Sequence, residues 1–145
     1  MQKITTYLWF DSQAKEAAEF YCSVFNNSRI LSASPMMVVF ELEGQRFMAL
    51  NGGPKFKFTE AISLYVDCQT QEEVDSLWNK LTSGGGSESM CGWLKDKYGL
   101  SWQIIPNQLI KLISDKDPAK AQRAMQAMLK MRKIDIRGLE EAVNR

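Results

Sequence analysis

The sequence contains no histidine, and this absence excludes several kinds of active site. Histidine is the commonest transition-metal ligand in proteins and the commonest general base near neutral pH. A Ser-His-Asp triad or a Cys-His pair therefore cannot form within one chain. Zinc would have to be held by scattered cysteines and carboxylates, so no zinc site is expected.

Cysteine is also scarce, with Cys22, Cys68 and Cys91 as the three in the chain. An odd number at wide spacing predicts neither a disulfide framework nor a CxxC site. We therefore expect reduced thiols and a cytoplasmic protein. Residues 1–5 lead directly into a strand-like run without a signal-peptide pattern, which fits the same expectation.

Long apolar runs and an excess of one charge are missing too. No stretch approaches the roughly 20 apolar residues that cross a bilayer, so no membrane partner is expected. Lys and Arg number 18 against 17 Asp and Glu, which leaves a net charge of +1. Such a chain offers no field that attracts phosphate groups, so nucleic acid is not expected as a partner.

The residues that are present predict two similar halves, 1–54 and 60–106. The apolar and β-branched patterns of the first half predict a strand, a helix and three further strands, at Ile4–Phe10, Ala14–Phe25, Arg29–Ser34, Met37–Leu42 and Gln45–Asn51. Glu43-Gly44 predicts a tight turn between the last two strands.

The second half repeats the order at a constant offset, which takes Asp11 to Asp67. It predicts a strand, a helix, a weak strand and a strand pair, at Ile62–Cys68, Gln71–Leu81, Gly86–Cys91, Gly92–Lys97 and Leu100–Pro106. Thr70 and Glu73 predict a capping box, and Tyr98-Gly99 is expected to join the strand pair. A duplicated βαβββ unit explains the pattern; the alternative is another α+β domain with two helices.

Residues 107–145 differ in character and predict a helical extension of a domain that spans 1–106. The expected helices are Leu109–Ile113, Pro118–Met131 and Ile136–Val143. Asp117-Pro118 and Asp135 are expected to start the last two. An extension this short cannot fold alone, so we expect it to pack on the domain or on a second subunit.

Several stretches resemble PhnB-like proteins of the vicinal oxygen chelate (glyoxalase/bleomycin-resistance/dioxygenase) superfamily. They are Ile4–Phe10, Ala17–Tyr21, Ala49–Pro54, Cys91–Gln103 and Ala121–Met128. The resemblance implies an α+β fold in which two βαβββ repeats form a glyoxalase-like open barrel around a ligand cup, with a C-terminal helical tail. Such proteins often carry the label 3-demethylubiquinone-9 3-methyltransferase, and pairs of subunits are common among them, so a homodimer is expected.

The resemblance also implies where a metal would bind. Metalloenzymes of this superfamily use His, Gln or Glu on four inward strand positions, and three of these fall near Thr5, Ala61 and Gln103. The remaining strand, Arg46–Asn51, contains no acid. One amide and a hydroxyl do not hold a divalent ion against water, so we expect neither a metal nor another cofactor in the cup.

Seven residues are candidates for contact with a ligand: Tyr7, Trp9, Asn51, Cys91, Trp93, Trp102 and Gln103. Strand alternation places Tyr7 and Trp9 opposite Leu8 and Phe10. The aromatic side chains either line a ligand pocket or fill the barrel.

The polar candidates have structural alternatives. Asn51 either binds a ligand or forms a turn, and Gln103 either orients a ligand or is a relic of the metal site. Cys91 is either a reactive thiol or a packed side chain. Asp96, Lys95 and Lys97 are interpreted as solvated loop charges.

Three functions are compatible with these features. The first is metal-free binding of a small molecule of unknown identity. The second is a metal-independent enzyme that uses Tyr7, Asn51, Gln103 and Cys91. The third is a dimeric interaction module. Methyl transfer is not indicated, because Gly84-Gly85-Gly86 follows a helix instead of a strand.

Overall fold

The computed structural model describes residues 2–145, which group into two compact units, one ending at Phe58 and one from Thr59 to Arg145. The first unit consists of β1 (Thr6–Phe10), α1 (Ala14–Val24), β2 (Arg29–Ala33), β3 (Met37–Leu42) and β4 (Gln45–Asn51). Its sheet has the order β1-β4-β3-β2, with β1 parallel to β4 and the other pairs antiparallel.

Alternation along the strands of the first unit buries one sheet face beneath α1. Leu8, Phe10, Val38, Phe40 and Ala49 are buried on that face. The helix contributes small side chains, including Ala14, Ala17 and Ala18, which allow it to lie close to the sheet. Each large apolar side chain removed from water in this way contributes about 1.5–3 kcal/mol.

The turn between β3 and β4 fixes the register of that hairpin. Glu43 and Gly44 have φ angles of 50° and 80°, as a type I′ turn requires. Leu42 therefore pairs with Gln45, and the bounds of both strands match the sequence prediction.

The second unit repeats the βαβββ order and so confirms the duplication. It consists of β5 (Ser63–Cys68), α2 (Gln71–Thr82), β6 (Ser87–Glu88), β7 (Trp93–Lys95) and β8 (Ser101–Pro106). The sheet order is β5-β8-β7-β6, again with the first and last strands parallel. The Thr70 side chain accepts a hydrogen bond from the Glu73 N–H, as the capping box predicts, whereas the Glu73 carboxylate accepts the N–H of Gln69 instead of that of Thr70.

The C-terminal helices pack in the second unit. They are α3 (Asn107–Ile113), α4 (Pro118–Met128) and α5 (Ile136–Val143), around the buried Ile105, Leu109, Ile134 and Leu139. The helix predicted to reach Met131 ends at Met128, because the carbonyl groups of Met131 and Arg132 accept hydrogen bonds from the N–H groups of Cys91 and Gly92.

The expected cap of the last helix is wrong. The Asp135 side chain makes no capping hydrogen bond to α5. Instead, the side-chain carbonyl of Gln71 accepts the Ile136 N–H at 2.8 Å, and the Gln71 amide nitrogen donates to the Ile134 carbonyl at 2.9 Å. One glutamine of α2 thus provides the cap and attaches the extension.

Among the helices of residues 2–145, none combines the length and the apolar character that a membrane crossing requires.

Candidate functional site

Each sheet has a face opposite its own helix, which we call its far face. On the first far face, Tyr7, Met48 and Val39 form one cross-strand row, and Trp9, Leu50 and Met37 form the next. Tyr7 is 49% exposed, whereas Leu8 and Phe10 are buried on the helix side. The alternation predicted for β1 is therefore confirmed.

Trp9 is fixed on the first far face by the Gly-Gly segment that follows β4. Its indole N–H donates to the Gly53 carbonyl at 2.9 Å, and its ring meets that of Phe56 edge-on at 4.9 Å. A Cβ atom on Gly52 would lie 2.4 Å from the indole ring, so only glycine fits there. The segment after Asn51 therefore binds the indole ring of Trp9 and fixes its position.

Asn51 is not brought together with Tyr7 and Trp9. It pairs with Phe10 and so belongs to the helix side of the sheet. Its side-chain oxygen accepts the Ala14 N–H at 2.9 Å, at the start of α1, and its amide nitrogen donates to the Pro35 carbonyl at 3.0 Å. Both the oxygen and the nitrogen of the Asn51 amide group are hydrogen-bonded to the backbone, which favours a structural role over ligand binding for this residue.

The second far face carries two adjacent rows. Tyr65, Gln103 and Trp93 form the aromatic row, and Ser63, Ser101 and Lys95 form the donor row. The Gln103 amide nitrogen donates to the Ser63 hydroxyl at 2.9 Å, which joins the two rows. The arrangement places two aromatic rings on either side of an oriented amide.

Trp102 lies on the other face from Trp93 and Gln103. It pairs with Leu94 and Leu64, is only 2% exposed, and donates its indole N–H to Asp96 at 2.9 Å. The interpretation of Asp96 as a solvated loop charge is wrong, because this carboxylate is also 2% exposed and accepts three hydrogen bonds.

Cys91 lies before β7 in the left-handed region, at a φ of 61°. Its N–H donates to the Met131 carbonyl at 2.7 Å, and the following Gly92 is bound in the same way to Arg132. The residue therefore takes part in attaching the helical extension. The thiol is half-buried.

Lys95 and Asp67 bring opposite charges to the second far face, and Lys95 forms an ion pair of 3.0 Å with Glu60. The hydrogen bond from Lys95 lowers the pKa of the Glu60 carboxyl group, which stays ionised. Burial, aided by Asp67, raises the pKa of the Tyr65 phenol, which therefore remains protonated at neutral pH.

The residues do not fit a divalent metal ion. Within residues 2–145, no group of three or more His, Cys, Asp or Glu side chains could hold one. Gln103 is engaged with Ser63, whereas Thr5 and Ala61 lie outside β1 and β5. An amide and hydroxyl groups are too weak a donor set for a divalent ion in water.

Sequence reasoning missed Tyr65, Ser63 and Ser101 and assigned Lys95 to a loop. The repeat offset that takes Phe10 to Val66 also takes Trp9 to Tyr65, which was a usable signal. The same offset takes Tyr7 to Ser63, whereas the positions of Ser101 and Lys95 depend on the pairing register of β7 and β8 and have no local signal in the sequence.

A family model described as 3-demethylubiquinone-9 3-methyltransferase matches residues 2–105, which is more than half of the chain. Among solved structures, the chain is similar to the PhnB protein from Bacillus cereus, with 40% identity over 72% of this chain and 99% of that one, at a TM-score of 0.67. Among curated proteins, no match was found.

More distant structures share the fold alone. A glyoxalase-related enzyme from Fulvimarina pelagi is 14% identical over 74% of this chain and 91% of that enzyme's chain, with a TM-score of 0.53. The fosfomycin resistance protein FosX from Listeria monocytogenes, complexed with Mn(II) and sulfate, is 15% identical over 70% and 88%, with a TM-score of 0.54.

Proposed function

The chain belongs to the 3-demethylubiquinone-9 3-methyltransferase (PhnB-like) family, whose members share the glyoxalase fold. We propose that it binds a small, flat, unsaturated molecule on its second far face without using a metal ion. The observation that supports the proposal is the aromatic row, in which Gln103 lies between Tyr65 and Trp93.

The chemistry of the row suits a ring with a polar substituent. Tyr65 and Trp93 offer apolar surface for a ring, and small-molecule sites commonly combine such surface with a few placed polar groups. The amide nitrogen of Gln103 is occupied by Ser63, which leaves its carbonyl oxygen as the acceptor for a ligand hydroxyl or N–H group.

We do not extend the family description to methyl transfer. Transfer from S-adenosylmethionine usually depends on a Gly-rich turn after a strand of a doubly wound sheet. Gly84-Gly85-Gly86 follows α2, and Lys97 lies against the first two of these glycines. The residues therefore do not fit that cofactor.

An enzyme without metal remains the second hypothesis, but it loses one group that it needed, since the Asn51 amide caps α1. A pair of subunits and a cytoplasmic location stay predictions.

The proposal is tested with a panel of hydroxylated and carbonyl-bearing aromatic compounds, using thermal shift and then calorimetry. Gln103→Met keeps the side-chain volume but removes the acceptor, so we expect about tenfold weaker binding of the best compound. Gln45→Met, an exposed position of β4, is the control and should bind as the wild type does. The proposal fails if no compound binds or if Gln103→Met binds unchanged.

A further inference from the structure

The donor row contains a buried hydroxyl group without a partner. Ser101 is 1% exposed, and its Oγ atom has no hydrogen-bond partner within residues 2–145. Buried polar groups in folded proteins are nearly always hydrogen-bonded, so an orphaned one calls for an explanation. A ligand atom that accepts a hydrogen bond is one such explanation, because the site next to Ser101 is already the proposed ligand surface.

The neighbours of Ser101 are donors as well. Ser63 accepts the Gln103 amide N–H, so its own hydroxyl hydrogen is available to donate. Lys95 brings an ammonium group and pairs with Glu60, with side-chain exposures of 41% and 64%. An exposed ion pair contributes little to stability, so an incoming anion can replace Glu60 at small cost.

The two rows are separated by two residues along each strand, which is about 7 Å. The donor row and the Gln103 carbonyl oxygen, which the hydrogen bond to Ser63 holds near that row, demand opposite properties of a ligand. The end near Ser101 must accept hydrogen bonds and tolerate a positive charge, whereas the end near Gln103 must donate.

We infer that the ligand is an aromatic carboxylate with a hydroxyl or amino group on the far side of its ring. Its carboxylate accepts hydrogen bonds from Ser101 and Ser63 and pairs with Lys95. Its ring lies along Tyr65 and Trp93, and its donor group meets Gln103. This inference rests on the proposed function and adds the class of ligand.

Calorimetry with three rigid probes tests the inference: 4-hydroxybenzoate, its neutral analogue 4-hydroxybenzamide, and benzoate, which lacks the hydroxyl group. We expect 4-hydroxybenzoate to bind about tenfold tighter than each of the others, because the amide lacks the negative charge and benzoate lacks the hydroxyl donor. Lys95→Met should weaken binding of the acid about tenfold and leave the amide unchanged, because only the acid carries a negative charge. Ser101→Ala should weaken binding of both, because the amide carbonyl also accepts a hydrogen bond. Lys80→Met, at an exposed lysine of α2, should bind the acid as the wild type does.

The outcomes separate the two proposals. Equal affinity for acid and amide, with both weakened by Gln103→Met, would overturn the carboxylate while the binding surface stood. No binding of any probe would overturn the inference, and the wider panel then decides the proposed function. In the ligand-free protein, Ser101→Ala should unfold at the same or a higher urea concentration; a lower midpoint would show that the hydroxyl group already has a partner and would contradict the argument.

Discussion

The indole N–H of Trp102 donates a 2.9 Å hydrogen bond to the carboxylate of Asp96, and both side chains are buried. The other carboxylate oxygen accepts the N–H groups of Tyr98 and Leu100 at 2.8 and 3.1 Å. Asp96 therefore closes the loop between β7 and β8. The register that follows from this loop places Gln103 beside Trp93.

We expect Asp96→Asn to destabilise the protein by about 2–4 kcal/mol, because an amide presents a nitrogen where a donor needs an acceptor, and hydrogen bonds to charged groups are among the stronger ones. Urea unfolding measures the change. Asp67→Asn, at an exposed position of β5, serves as the control and should shift the free energy of unfolding by less than about 0.5 kcal/mol. Similar effects of the two substitutions would show that Asp96 does not hold the loop.

Asn51 joins β4 to the start of α1. Asn51→Ala removes the acceptor for the Ala14 N–H and should destabilise the protein by about 1–2 kcal/mol, as the loss of a helix cap does. Asn79→Ala, on the exposed side of α2, should be nearly neutral. A variant that kept its unfolding midpoint but lost ligand binding would instead assign Asn51 to the ligand site.

Gln71 attaches the helical extension, and its loss should act locally. Gln71→Leu leaves the Ile136 N–H and the Ile134 carbonyl without their partner, so we expect faster amide hydrogen exchange across Ile136–Val143. Gln126→Leu, exposed on α4, should leave that exchange unchanged. Uniform acceleration across the whole chain would mean that the extension does not open separately.

Asp75 makes the attachment of the helical extension to α2 dependent on pH. Hydrogen bonds from Gln71 and then Lys133 lower the pKa of its carboxyl group. A folded-state pKa below the unfolded one gives a stabilisation that is present above pH of about 4 and is lost as the pH falls through the folded value. The difference in unfolding free energy between wild type and Asp75→Asn should therefore shrink in acid. A difference that stayed constant between neutral pH and pH of about 2 would contradict the assigned cause.

Local patterns in the sequence were sufficient for most elements of the fold. The bounds of β3, β4 and α5 match the prediction, because alternation, the Glu43-Gly44 turn and helical spacing are all short-range signals. The face of Asn51 was not accessible in this way, because residues 47–50 are all apolar and show no alternation.

The faces of β7 and β8 could not be predicted in this way. A two-residue turn at Tyr98-Gly99 would have placed Trp93 and Trp102 on one face. Instead, β7 ends at Lys95 and β8 begins at Ser101. Their pairing differs by one residue from the register that a two-residue turn would give. A slip by one residue moves every side chain to the other face. The cause is the burial of Asp96, which a sequence presents as an ordinary charge between two lysines.

The parallel pairing of β1 with β4 has a consequence for the order in which the first unit is built. The strand β1 bonds to Phe47–Asn51, so its ladder cannot form until that distant strand is available. The hairpin of β3 and β4 closes over two residues and pays little loop entropy. We expect pulse-labelling to show protection of residues 37–51 before residues 6–10, so that β1 is fixed only after the hairpin to which it bonds.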